Sequence, residues 1–149
     1  MIVGCNSDAV WSDTQSVKGL WDKNDPVQFQ IERIDSLQDY NLFFTLRHTN
    51  DYRFNNIFLI TSLRYPHGKR LSDTLEYRLA EPDGTWIGQG LGSVKEIKLW
   101  YKEDFQFDES GDYNITITHA VRNNGEVEGV KMLEGISDVG LIIENPTKK

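Results

Sequence analysis

One cysteine, three histidines, scattered carboxylates and a few aromatic residues outside the regular apolar pattern are the side chains of this chain that could do chemistry. Cys5 closes the run Ile2-Val3-Gly4-Cys5, which has the form of a lipobox. Aliphatic residues end a membrane-buried stretch, a small residue admits the peptidase, and the thiol accepts a diacylglycerol. On this reading Cys5 is a lipidation site and the working protein hangs from a membrane. As the only cysteine, Cys5 has no intramolecular disulfide partner, so packing must hold the fold. His48, His67 and His119 are far apart in sequence, and none sits at zinc-ligand spacing from another metal-type ligand. His119 is in phase with apolar neighbours and reads as a core imidazole; His67 belongs to a turn. No Gly-x-Ser-x-Gly elbow is present, and an acylated sulfur is no nucleophile, so we expect no catalytic residues, no metal and no cofactor. The glycines of Gly88-Gln89-Gly90-Leu91-Gly92 lack the spacing and strand-to-helix context of a dinucleotide loop; they read as a place where another backbone comes close.

Two groups of acids, Glu126, Glu128, Glu134 and Asp138, and Asp22, Asp25, Glu81 and Asp83, raise the question of a glycosidase pair. Asp22-Lys23-Asn24-Asp25 could hold calcium through hard oxygen ligands, but lacks the full loop pattern. With 23 acidic residues in the chain, solvated acidic loops are the simpler reading. Aromatics out of register carry more information. Trp100 alternates with Ile97, Leu99 and Tyr101 instead of joining them, Trp86 ends the turn Asp83-Gly84-Thr85-Trp86, and Tyr52 and Phe54 lie in a loop. Tyr52, Phe54, Trp86 and Trp100 are therefore the expected interaction surface, for a protein partner or for sugars. The alternative is that these rings cover the open ends or second face of the fold.

The elements that must position these residues are strands. Period-two alternation runs through Val27 to Ile31, Tyr40 to Leu46, Ile57 to Tyr65, Leu71 to Leu79, Ile97 to Tyr101 and Tyr113 to Val121. Phe105 and Phe107 form a short strand or an edge continuation, and Val139 to Glu144 ends the core. Pro66-His67-Gly68-Lys69 and Glu109-Ser110-Gly111-Asp112 are turns. Asp35 to Gln38 and Val127 to Leu133 hold at most short helical turns. Seven or eight antiparallel strands predict an all-β fold, a single-domain β-sandwich of jelly-roll or immunoglobulin-like form over residues 26–145. Residues 1–25 precede it as the lipobox and, from Cys5 to Asp25, a partly extended tether. The net charge of −7, from 16 basic and 23 acidic residues, opposes nucleic acid and anionic bilayers, and the basic residues form no patch.

The ordered strings Trp21-Asp22-Lys23, Tyr40-Asn41-Leu42, Leu46-Arg47-His48-Thr49-Asn50-Asp51-Tyr52, Asp73-Thr74-Leu75-Glu76-Tyr77 and Asp83-Gly84-Thr85-Trp86 point further. So do Gly125-Glu126-Val127-Glu128-Gly129 and Leu133-Glu134-Gly135-Ile136-Ser137-Asp138-Val139-Gly140-Leu141. Together they resemble the gliding-motility-associated lipoprotein family GldH of Bacteroidetes, over about Cys5 to Glu144. The resemblance implies a non-catalytic envelope lipoprotein, lipid-anchored at Cys5 and residing at the outer membrane. Its implied partners are envelope proteins of the gliding and type IX secretion machinery. A surface carbohydrate-binding module is the alternative; it would require a solvent-facing row of coplanar rings from Trp86, Trp100 and Tyr52.

Overall fold

The computed structural model describes residues 9–32, 34, 38–90, 92–121 and 130–146. Among them there is no helix, and ten strands carry the fold: β1 (Ala9–Ser16), β2 (Leu20–Asp22), β3 (Val27–Ile31), β4 (Asp39–His48), β5 (Asn56–Arg64), β6 (Arg70–Arg78), β7 (Lys95–Gln106), β8 (Tyr113–His119), β9 (Met132–Glu134) and β10 (Ile136–Glu144). Two four-stranded sheets, β1-β10-β4-β7 and β3-β8-β5-β6, make the sandwich, and β2-β9 forms a separate two-stranded ribbon.

The pairing has one simple order. β1 pairs with β10, β2 with β9, β3 with β8, β4 with β7 and β5 with β6, all antiparallel. The chain is thus one long hairpin, folded back at the β5–β6 turn and rolled until β10 also meets β4 and β8 also meets β5. Of the two expected topologies this connectivity is the jelly roll. The turn at its tip is the one that Pro66-His67-Gly68-Lys69 signals: Tyr65 N–H donates to Lys69 O at 2.8 Å, and Gly68 takes a φ of +104°.

Alternation explains most of the strands. In β8, Tyr113, Ile115, Ile117 and His119 are buried while Asn114, Thr116 and Thr118 lie between, and β3 and β5 behave alike. Ten strands stand where seven or eight were expected. The segment expected as a tether supplies two of them, because from Ala9 onward the chain pairs along β10 and then along β9. Phe105 proves to be an edge continuation: β7 runs unbroken to Gln106, with its register against β4 shifted beside Tyr40 and Leu42 and Asp104 at a φ of +53°. The expected helical turn over Asp35 to Gln38 falls mostly outside the described residues; of that over Val127 to Leu133 the first three residues lie outside them, and Met132 and Leu133 are strand.

Aromatic clusters close the two ends of the sandwich. At the end holding the β5–β6 turn, Tyr40 meets Phe107 at 5.8 Å, Phe107 meets Tyr113 at 4.9 Å and Tyr113 meets Tyr65 at 5.2 Å, joining both sheets. At the opposite end Trp21 packs edge-on against His119 at 5.2 Å, and His48 lies against Trp86 at 4.5 Å. Side chains latch the sheet edges. The hydroxyl of Tyr77 on β6 donates to the carbonyl of Trp100 on β7, and the amide of Gln15 on β1 donates to the carbonyl of Gln28 on β3. Edge strands otherwise present unpaired backbone groups to other chains.

Candidate functional site

The outer face of the β1-β10-β4-β7 sheet carries the most exposed aromatic ring. β7 directs Ile97, Leu99 and Tyr101 toward the core, so Trp100, between them, must point outward. Its side chain is 51% exposed. It is not isolated: Trp100 is opposite Phe43 on β4, with ring centroids 4.4 Å apart, and Phe43 is opposite Ile142 on β10. Three apolar side chains on adjacent strands form a row across a face that is otherwise polar. Lys98 Nζ lies 4.2 Å above the Phe43 ring and 2.5 Å from Glu144 Oε2, while Arg47 pairs with Glu96 at 2.8 Å. The row is a small apolar strip with charges of both signs at its margins, suited to protein contact. Ion pairs as exposed as these add little to stability, which leaves them available for exchange with a partner's charges.

Tyr52, Phe54 and Trp86 come together at the Trp21/His119 end of the molecule, away from that strip. Tyr52 is 3% exposed and belongs to the core, which corrects its expected place on a surface. It meets Phe54 at 5.6 Å and Trp86 at 6.5 Å, and burial holds its hydroxyl neutral far above the usual tyrosine range. Phe54 and Trp86 are half-buried. The indole Nε1–H donates to Asn50 Oδ1 at 3.0 Å, so Trp86 is a cover over buried His48. A shallow cavity of about 390 Å³ lies between Tyr52, Arg53, Phe54, Ala80, Gly84 and Trp86. The three rings sought for a sugar platform thus make no flat, solvent-facing row.

His48, His119, Asp22 and Asp83 have structural tasks. His119 is 1% exposed and donates from Nε2 to the carbonyl of Trp21 at 2.8 Å. His48 donates from Nδ1 to Thr49 O at 3.2 Å. Burial lowers the pKa of both imidazoles. Asp22 Oδ1 accepts from Asn24 N–H at 2.9 Å, and Asp83 Oδ1 accepts from Thr85 N–H at 2.9 Å, so these acids shape turns. The Thr85 bonds pull the Asp83 carboxyl below the ordinary range. Among the described residues no three His, Cys, Asp or Glu side chains gather as metal ligands would. Cys5, Glu126 and Glu128 lie outside the described residues. The glycine run does what its spacing suggests. Gln89 and Glu96 exchange backbone bonds at 2.9 and 2.8 Å, and a Cβ on Gly88 would stand 2.9 Å from Glu96 O.

What reading the sequence missed is Phe43 and Ile142, the support of Trp100. Phe43 falls in the unbroken apolar run Leu42-Phe43-Phe44, where alternation does not say which residue faces out.

Solved structures give weak likenesses. The chain is similar to the infectious bursal disease virus VP2 subviral particle at 13% identity and a TM-score of 0.33, covering 97% of this chain and 36% of that one. It is similar to the same virus's Gx strain at 11% and 0.36, covering 100% and 37%. Sequence relatives are far nearer. A protein of Christiangramia forsetii named gliding motility lipoprotein GldH homolog is 49% identical over 140 residues, 94% of this chain and 86% of its own length. The gliding motility lipoprotein GldH of Flavobacterium johnsoniae is 45% identical over 144 residues, covering 97% and 89%. The family profile described as GldH lipoprotein matches residues 9–143, all ten strands but for the last residue of β10. This chain belongs to the GldH lipoprotein family.

Proposed function

We propose that this protein is a non-catalytic accessory component of the gliding and type IX secretion machinery. It is anchored through acylated Cys5 at the outer membrane and docks onto an envelope protein with the outer face of the β1-β10-β4-β7 sheet. The observation that carries the docking is Trp100, half-exposed on β7 and packed at a tilt against Phe43. An aromatic ring held rigid by a neighbour is a good interface anchor, because little side-chain entropy remains to be lost on binding. The anchor adds to this: each buried methylene contributes about 0.8 kcal/mol, and several chains together hold the protein at the surface, where modest contacts gain from high local concentration.

The test uses a gliding host lacking its own family member. The intact protein, with its signal sequence, should take up an alkyne fatty acid and restore colony spreading. Cys5→Ala should lose both, and Trp100→Ala should keep the label and lose spreading. Full spreading by Trp100→Ala would refute the docking face, and labelling of Cys5→Ala would refute the anchor position.

A further inference from the structure

We infer that the anchored protein stands end-on, with the Pro66/Phe107 end facing the bilayer and the Trp86 end presented away from it. The inference rests on the proposed anchoring at Cys5. β1 begins at Ala9, opposite Glu144 at the end of β10. That position is four steps along the chain from Cys5, and even a fully extended chain spans only about 14 Å over them. The anchor cannot migrate along the molecule, because β1 is fixed along its length. It pairs with β10 from Ala9 to Ser16, Trp11 packs edge-on against Phe29 at 6.4 Å, and Gln15 is bonded to the Gln28 carbonyl on the other sheet.

Ala9 and Glu144 belong to the end where Tyr40, Tyr65, Phe107 and Tyr113 cluster. β4 begins there, with Asn41 opposite Glu144, and β7 ends there, with Phe105 opposite Tyr40. β1 then runs about 24 Å to Ser16, near the opposite end. Bringing the Trp86 end down first would require the tether to cover that distance backwards, beyond its reach.

Lying on the side that carries the anchor is within reach but has no contiguous apolar face to drive it. That side is formed by β1 and β3, whose exposed residues include Ser12, Asp13, Thr14, Ser16, Gln28 and Gln30. The large apolar side chains exposed over residues 9–20 are Val10 and Leu20, one at each end of the stretch, so they form no contiguous patch. Nor does charge pull the body flat: the chain carries −7 overall, and β1 and β3 hold no basic residue, Asp13 being the one charge on them, so that side gains nothing from anionic headgroups. The bilayer therefore holds the protein through its acyl chains alone, and the side bearing Trp100 and the end bearing Trp86 stay open to proteins outside the membrane.

The sole cysteine permits a direct test on the whole chain. Cys5 is coupled to maleimide lipid in phosphatidylcholine vesicles containing an acceptor dye in the headgroup layer. A donor dye is attached through azidophenylalanine at Ser110, in the exposed turn of the anchor end, or at Glu81, in the exposed turn at the other end. Strong energy transfer from position 110 and its loss at position 81 are expected. A second form with a fifteen-residue Gly-Ser insert before Ala9 should lower transfer from 110 and shrink the difference. Equal or reversed transfer in the uninserted form overturns end-on mounting. Chemical coupling does not depend on whether cells acylate Cys5, so failure here and failure of the fatty-acid labelling are separate results.

Discussion

At the scale of single residues, position on the strand decides cost. Trp100 is half in solvent and Phe44, on the neighbouring strand, is completely buried. Trp100→Ala should lower unfolding free energy by about 1 kcal/mol or less, whereas Phe44→Ala should cost about 3–5 kcal/mol through lost transfer energy and a residual cavity. Urea unfolding of the two variants checks this, and a docking role requires that Trp100→Ala stay folded. The buried histidines predict acid sensitivity. Both pKa values are lowered by burial, while the unfolded chain titrates near 6.5. Stability is therefore complete above about pH 6.5 and falls as the pH drops from there toward the folded-state values, because the unfolded state takes up protons first. Each histidine contributes at most about 1.4 kcal/mol per pH unit in that window. His119→Phe combined with His48→Phe should flatten the dependence, measured as the urea midpoint at pH 8 against pH 5.

At the scale of elements, backbone shape sets which changes are tolerated. Gly84 and Gly135 both hold positive φ, +93° and +98°, but a Cβ on Gly84 meets nothing within 4 Å, whereas one on Gly135 would stand 2.6 Å from the Tyr52 Cα. Gly84→Ala should cost about 1 kcal/mol from conformation alone, and Gly135→Ala clearly more, since the β9–β10 turn must separate from the loop holding Tyr52. Equal losses in thermal unfolding would contradict the packing described. Removing the β6–β7 latch with Tyr77→Phe should cost about 1 kcal/mol. The Tyr77 and Tyr101 pKa values are pushed up to about 12, chiefly by burial. Stability therefore declines as the pH rises from about 10, where unfolded tyrosine ionises, toward 12, and Tyr77→Phe should lose less over that range. Strands with one buried face, such as β3 and β8, were legible because alternation reports burial. β1 was not: it is an edge strand held chiefly by its ladder to β10, and only Trp11 and Gln15 are partly buried along it. β2 and β9 have three residues each, too few to show a period. The candidate site divides in the same way. Trp100 stood out by breaking phase, but Tyr52 could not be assigned from its loop, because its burial depends on Gly135 and Trp86, which sequence proximity does not bring to it.

At the scale of the whole molecule, a rolled hairpin presents two ends and two outer faces with different chemistry. One end holds the start of β1 and the acids Asp108, Glu109 and Asp112, the other is closed by Trp86 over His48, and one face carries the Trp100-Phe43-Ile142 strip. Membership of the GldH lipoprotein family, with relatives 45–49% identical over most of the chain, gives this arrangement its setting. The central claim is that a lipid-held sandwich docks through that strip. Its most direct test is crosslinking in a gliding host with affinity-tagged intact protein, Cys5→Ala and Trp100→Ala, followed by mass spectrometry of what is retained. The account predicts that intact protein recovers envelope components of the gliding or secretion machinery, that Trp100→Ala recovers markedly less, and that Cys5→Ala recovers none. Equal recovery by all three forms, or no envelope protein enriched by the intact one, would contradict it.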